Sequence, residues 1–229
     1  METAQQVVRR NWLFSSLVLV LAVVSLCLLC YSVLRENLPD RLTDTWPWKL
    51  ELLDIQSATA ATIGTAGASL ARAQYARAVR PAIGYFGRAI AGLAPDDRLA
   101  WACHVLNGAQ DIAVIDEITY QVQFTASAHA DGAEDSAKWG SSREATVGIE
   151  LRGLRHHEDF ALDFIDRGRP IPAQGLVFLG WFTEKAMREV ENVFVKVRVI
   201  DRVGDTHERC INLLKGANRS PRHPDAPPS

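Results

Sequence analysis

The sequence lacks the common signatures of nucleotide and acyl-transfer chemistry: neither GxxxxGK(S/T) nor GxGxxG occurs, and no GxSxG turn is present. Cysteine is scarce, at four residues, which excludes a disulfide scaffold. Cys27 and Cys30 sit inside an apolar run, leaving Cys103 and Cys210, which read as buried free thiols unless the chain faces an oxidising compartment. Outside that run no cysteine or histidine pair has the spacing of zinc ligands, so no metal and no cofactor is expected. Net charge is also small, −2 with a pI near 6.3, and no global basic field exists to attract nucleic acid. These absences together predict a chain that is not an enzyme.

What is present begins near the N-terminus. After a short cytoplasmic segment, 1–11, the run WLFSSLVLVLAVVSLCLLCYSVL covers 12–34 without a charge. Roughly 23 residues at 1.5 Å each cross a hydrocarbon core of about 30 Å with some tilt. Each Leu, Val or Phe contributes roughly −0.3 to −0.6 kcal/mol to insertion, which outweighs the serines. A cleaved signal peptide would have a shorter apolar region ending in a small-residue site, and CLLCYSVLREN offers none. Trp12 and Tyr31 lie near the two ends, at headgroup level.

A polar loop, 35–54, leads to a second uncharged stretch, Ile55 to Ala71, within a helix expected over 55–80. Its insertion energy is marginal, but Ala60, Gly64 and Ala68 form a small-residue strip suited to packing against the first helix. Trp46 and Trp48 precede it, and Arg72, Arg77, Arg80 and Arg88 follow as topology or headgroup arginines. This predicts a transmembrane helical hairpin in the cell membrane with both ends in the cytoplasm. The rival is a single crossing with 55–80 on the far side.

Arg80-Pro81 closes the helical pattern, and the periodicity then shifts towards two. Strands are expected at Leu99–Leu106, Glu117–Ala126, Thr146–Leu151, Phe160–Ile165, Val177–Trp181, Phe194–Asp201 and His207–Leu214. Ile118, Tyr120, Val122 and Phe124 share one face, as do Val193, Val195, Val197 and Val199. Gly204 suits a tight hairpin between the last two strands. The fold class is therefore α+β: the N-terminal hairpin, then an antiparallel β-sandwich over 81–215, with a small β-barrel as the alternative. Thr183–Asn192 reads as a helical turn, Ala128–Arg143 as a mobile polar loop, and 216–229 as a disordered tail.

Three short motifs carry a likeness: Arg77-Ala-Val-Arg80-Pro81, Asn107-Gly108 with Ala113, and Val199-Ile-Asp-Arg-Val-Gly-Asp205. In their order the chain resembles uncharacterised bacterial membrane proteins that join a transmembrane hairpin to a cytoplasmic immunoglobulin-like β-sandwich. The usual second glycine of the opening turn is replaced by Gln110 and Asp111 nearby. The resemblance implies an architecture and no activity.

The densest polar cluster is His156-His157-Glu158-Asp159, which reads as a solvated turn because adjacent side chains point apart. Cys103-His104 lies on a strand that sends one inward and one outward, and Asp116-Glu117 reads as a solvated edge. The expected function is a membrane-anchored, non-enzymatic interaction module. Its contacts would lie in the Ala128–Arg143 loop and around Arg167 to Pro172, and its partners would be the bilayer and a protein, or a second copy through the helices. The alternative is a ligand-gated membrane effector whose β-domain senses a small molecule while the helices oligomerise.

Overall fold

The computed structural model describes residues 2–39 and 54–226, apart from the side chains of residues 13–15. Trp46 and Trp48, expected at an interface, lie outside the described residues. The chain divides into two compact units: Asn11–Ala78, and Met1–Arg10 together with Val79–Ser229.

The first unit holds two helices, α1 (Trp12–Asn37) and α2 (Ile55–Ala78). Among the described residues, Ser16–Asn37 is the one helical stretch long and apolar enough to cross a bilayer, and only 11% of its most apolar window is buried. The two helices pack on each other. The shielded positions on α1 include Val18, Ala22, Ser25, Leu29 and Ser32, and those on α2 include Ala58, Thr62, Thr65 and Ser69. Both series step by four and three residues, the spacing of a left-handed helix pair. Thr62 Oγ1 lies 3.2 Å from the carbonyl of Ser25. The strip expected at this contact, Ala60, Gly64 and Ala68, is exposed instead. One turn of helix is 3.6 residues, so a strict four-residue repeat drifts off a straight seam, and the hydroxyl-bearing 4-3 series takes the contact.

The second unit is built of two antiparallel sheets. One runs in the order β1 (Gln6–Arg9), β9 (Thr206–Asn212), β8 (Val190–Ile200), β4 (Ala113–Phe124), β6 (Pro170–Ile171); the other runs β2 (Ile83–Ile90), β3 (Ala100–Asn107), β7 (Gly175–Thr183), β5 (Phe160–Leu162). Both sheets give their inner faces to one buried cluster. Val193, Val195, Val197 and Val199 meet Val105, Leu179, Phe160 and Phe182 there, and the two phenylalanines stack 6.3 Å apart. The outer face of β8 is polar: Arg198 pairs with Glu117 at 2.5 Å and Glu208 at 2.8 Å, and Lys196 lies 4.4 Å from the Trp139 ring. Leu213 links the sheets, since its carbonyl accepts from Tyr85, Trp101 and Cys103.

Three strands arise where none was expected: β2 contains two glycines, β6 is a two-residue strand in the loop around Arg167 to Pro172, and β1 lies in the short segment before α1. β1 pairs with β9 at Gln6–Glu208 and Val7–His207, and Gln5 bonds through its side chain to Pro81 and Ile83. The first residues of the chain are thus the edge of a sheet whose other strands follow α2.

Three expectations are corrected. Thr146–Leu151 belongs to helix α4 (Ser142–Glu150), which the reciprocal bonds of Ser141 and Glu144 cap and which buries Ala145 and Ile149. Ala128–Arg143 is anchored rather than loose: it begins in helix α3 (Ala126–Ala130), and Ser136 and Gly140 bond to the backbone of Val122 and Tyr120. The segment 216–226, read as a disordered tail, makes specific contacts. Arg219 donates to the carbonyls of Met187, Val190 and Glu191, and Asp225 bonds both backbone groups of Ala89. The turn expected at Thr183–Asn192 is helix α5 (Glu184–Glu189) running into β8.

Candidate partner-binding cleft

At the end of the β unit where β2 and β7 finish and β3 and β5 begin, three polar turns converge on Asp159. The register pairs Phe160 with Phe182, which sets Asp159 beside Thr183. Thr183 donates twice to the Asp159 carbonyl, from its amide at 2.9 Å and its hydroxyl at 2.7 Å. The same hydroxyl accepts from the Ala186 amide and so caps α5. That cap fixes the direction of Lys185, whose Nζ reaches Asp159 Oδ2 at 2.7 Å. The Arg155 amide donates to the same oxygen at 3.0 Å, and a guanidinium nitrogen of Arg98 lies 3.4 Å from Oδ1. Arg98 arrives from the 3-10 turn Pro95–Asp97 and also donates to the Glu158 carbonyl at 2.6 Å.

The Asp159 side chain is only 4% exposed. Burial pushes its carboxyl up, but Lys185, the Arg155 amide and Arg98 together outweigh that and hold it below the ordinary value. Beside this cluster opens a cleft of about 420 Å³, with Arg98, Lys185 and Arg188 on its walls and Pro221 closing one side. Arg188 is held by Glu184 at 2.5 Å, and the Ser220 hydroxyl bonds the same glutamate at 3.0 Å. Guanidinium and ammonium groups fixed at a rim suit carboxylate or phosphate groups of a partner, which they can hold through charge-assisted bonds. A second cleft of about 520 Å³ lies beside β1, between Glu2, Tyr85, Arg209 and Lys215.

The residues singled out in the sequence are distributed rather than gathered. His156 and His157 do come together, their rings 3.9 Å apart, because His157 adopts a left-handed φ of 64° that cancels the usual alternation. Burial, then the neighbouring ring, lowers the His156 pKa, and its Nε2 already accepts from the Leu162 amide. Glu158 turns to Arg155, and Asp159 is buried against Arg98 and Lys185, which line the cleft. Among the described residues, no group of three metal-capable side chains forms. Cys103 points into the core, where burial pushes its thiol up, while His104 lies on the other face between Phe86 and Phe178. Asp116 and Glu117 diverge at a bulge, to Arg167 and Arg198. Arg77 and Arg80 are exposed where α2 passes into the β unit, Arg72 is half-buried on α2, and Arg88 is a strand residue of β2. The loop around Arg167 to Pro172 is tied to β4 through β6.

Arg98, Lys185 and Arg188 were not singled out. Arg98 follows a polar turn while Lys185 and Arg188 lie on the short helix α5, and only the fold brings Arg98 and Lys185 together on Asp159. The chain matches no family model, no curated protein and no solved structure.

Proposed function

We propose that the chain is a non-enzymatic interaction module, a β-sandwich held at the cell membrane by a two-crossing helical hairpin and facing the cytoplasm. The observation that carries this reading is the pairing of β1 with β9. β1 ends two residues before α1, and β9 follows α2, yet both belong to one sheet. A chain that leaves a folded unit and rejoins it must cross a bilayer an even number of times. Zero crossings would leave Leu17, Leu19, Val20, Val23 and Leu26 of α1 in water, an apolar surface that needs lipid or protein cover. Two crossings would give that surface lipid. The polarity of α2 is partly masked, because Thr62, Thr65 and Ser69 each donate to a carbonyl one turn back, at 2.8 Å. The pairing of β1 also argues against cleavage of the apolar segment, which would strip a strand from the sheet. Arginines at positions 9 and 10 and from 72 to 80 favour the cytoplasmic side.

The test is side-specific labelling in intact and opened cells, with thiols placed at Thr3 and at exposed Asp97. Both should react only after the cell is opened. Reaction at opposite faces would overturn the hairpin. In this reading the cleft lined by Arg98, Lys185 and Arg188 is what a soluble or peripheral partner meets, because the chain joins its helices at the other end of the strands.

The alternative, a ligand-gated effector, draws on the exposed strip of Ala60, Gly64 and Ala68. A side chain at Gly64 would meet open space within one copy. Gly64→Leu should therefore leave the α1–α2 pair intact and reduce self-association in detergent, measured by cross-linking. Unchanged cross-linking would remove the helix strip from consideration. The sandwich core is filled by Phe160, Phe182 and the β8 valines, so a sensed ligand would have to sit in a surface cleft.

A further inference from the structure

One end of the β unit carries both of its connections to the helices. β1 runs out through Arg9 and Arg10, two residues before Trp12, and β2 begins at Ile83, a few residues after Ala78. Three turns share that end. Strands β3 and β4 are joined there through 108–112, β8 and β9 through 201–205, and β6 and β7 through 172–174. They are stitched to each other and to the β2 junction. Gly108 donates to the Ala82 carbonyl at 2.8 Å, Gln174 donates to Ala109 at 3.0 Å, and Arg202 lies 3.6 Å from Asp111.

The charges at this end are layered. The carboxylates of Asp111 and Asp116 are mostly shielded, and the buried carboxylate of Asp201 is consumed by the amides of Val203 and Asp205 and by His207. The arginines that pair with the first two project beyond them, Arg167 at 79% and Arg202 at 67% exposed. Asp166 is the exposed counter-charge in the adjoining turn. Next to Asp111, at the close of the 108–112 turn, Ile112 is 51% exposed where a polar residue would ordinarily stand.

We infer that this end is a lipid-contacting surface: Ile112 enters the headgroup layer, and Arg167 and Arg202 bind the phosphates of anionic lipids. The inference rests on the hairpin reading, because only an anchored unit with both connections at one end is held against the bilayer there. Short connections confine the end to within a few residues of the interface. An exposed apolar side chain and guanidinium groups at one end suit that layer, where the cations meet phosphate and the side chain meets acyl carbon.

The test uses the full-length protein with Cys27 and Cys30 changed to serine, carrying an environment-sensitive fluorophore at Ile112→Cys. A second sample carries it at Asp97→Cys, at the opposite end of the strands. Both are reconstituted in phosphatidylcholine vesicles with and without phosphatidylglycerol, and some vesicles contain lipid bearing a quencher near the headgroup. Most of the emission at position 112 should be lost to the lipid quencher and little at position 97. The loss at 112 should deepen with phosphatidylglycerol and recede in high salt or in the Arg167→Glu, Arg202→Glu variant. Equal quenching at both positions overturns the inference, as does indifference to phosphatidylglycerol and salt. An impermeant quencher added outside the vesicles separates the two levels. If the label at 112 and one at Thr3→Cys report opposite faces, the hairpin itself fails; if they share a face and 112 stays water-exposed, only the lipid contact fails.

Discussion

Asp159→Ala is expected to lower the stability of the β unit by about 3–5 kcal/mol, read as a fall in the urea midpoint of the detergent-solubilised protein. The carboxylate is nearly inaccessible and serves three donors, the Lys185 ammonium, the Arg155 amide and the Arg98 guanidinium. Its loss leaves the Arg155 amide without a partner and two cations facing each other across the cleft. The partners should matter less singly. Lys185→Met should cost under about 1 kcal/mol, because the ammonium is more than half exposed and solvent screens it. The acid limb supplies a second reading of the same site. The folded Asp159 carboxyl sits below its ordinary value of about 3.9, so its contribution is complete above that pH and is lost as pH falls through the folded value. Wild type should therefore lose stability below about pH 4 more steeply than Asp159→Ala. Parallel acid limbs would show that the carboxylate does not hold the turn.

Gly180→Ala should be comparably damaging, at about 3 kcal/mol, from strained backbone and a displaced strand. Gly180 lies on β7 at a φ of 150°, beside the bulge where the register with β3 shifts. A Cβ placed there would stand 2.1 Å from the Ala161 carbonyl oxygen and 3.1 Å from the Leu162 Cα. Both are backbone atoms of the paired strand β5, so no side-chain rotation relieves the contact. β5 would have to separate from β7, carrying Phe160 out of the core and Asp159 away from Thr183. Amide exchange at Asp163, which donates to the Leu179 carbonyl at 2.8 Å, should rise with the loss of stability. Gly92→Ala is the control: its φ is also positive, but a Cβ there meets open space, and about 1 kcal/mol of backbone strain is all it should cost. Equal effects at the two glycines would mean that the close approach of β5 is not what matters.

The parts of this fold that could be read in the sequence are those where one local signal sufficed. β4 and β8 alternate cleanly because one face of each meets the core and the other carries Glu117, Lys196 and Arg198. α1 is legible because an unbroken apolar run of that length reads directly as one long helix. Misreadings arose where two signals competed. Val147, Ile149 and Leu151 alternate like a strand, but Ser141-x-x-Glu144 ahead of them is a capping box and starts a helix. β2 hides behind Gly84 and Gly87, and the second is small of necessity: a Cβ would collide with Trp101 and Tyr85. The helix strip is a different case, since Ala60, Gly64 and Ala68 are exposed while Ala58, Thr62, Thr65 and Ser69 are shielded. The cleft could not be read at all. Arg98, Asp159 and Lys185 are scattered through the chain, and their meeting depends on the register of β5 against β7.

Because β1 is made first and its partner β9 last, the two are separated by about two hundred residues of synthesis. At roughly 5–20 residues per second the ribosome needs on the order of 10–40 s between them. Throughout that interval Gln6–Arg9 waits unpaired while α1 and then α2 emerge. In the proposed hairpin, the closing of the sheet edge would report that both helices have already been delivered, and the finished β unit would be a record of completed insertion.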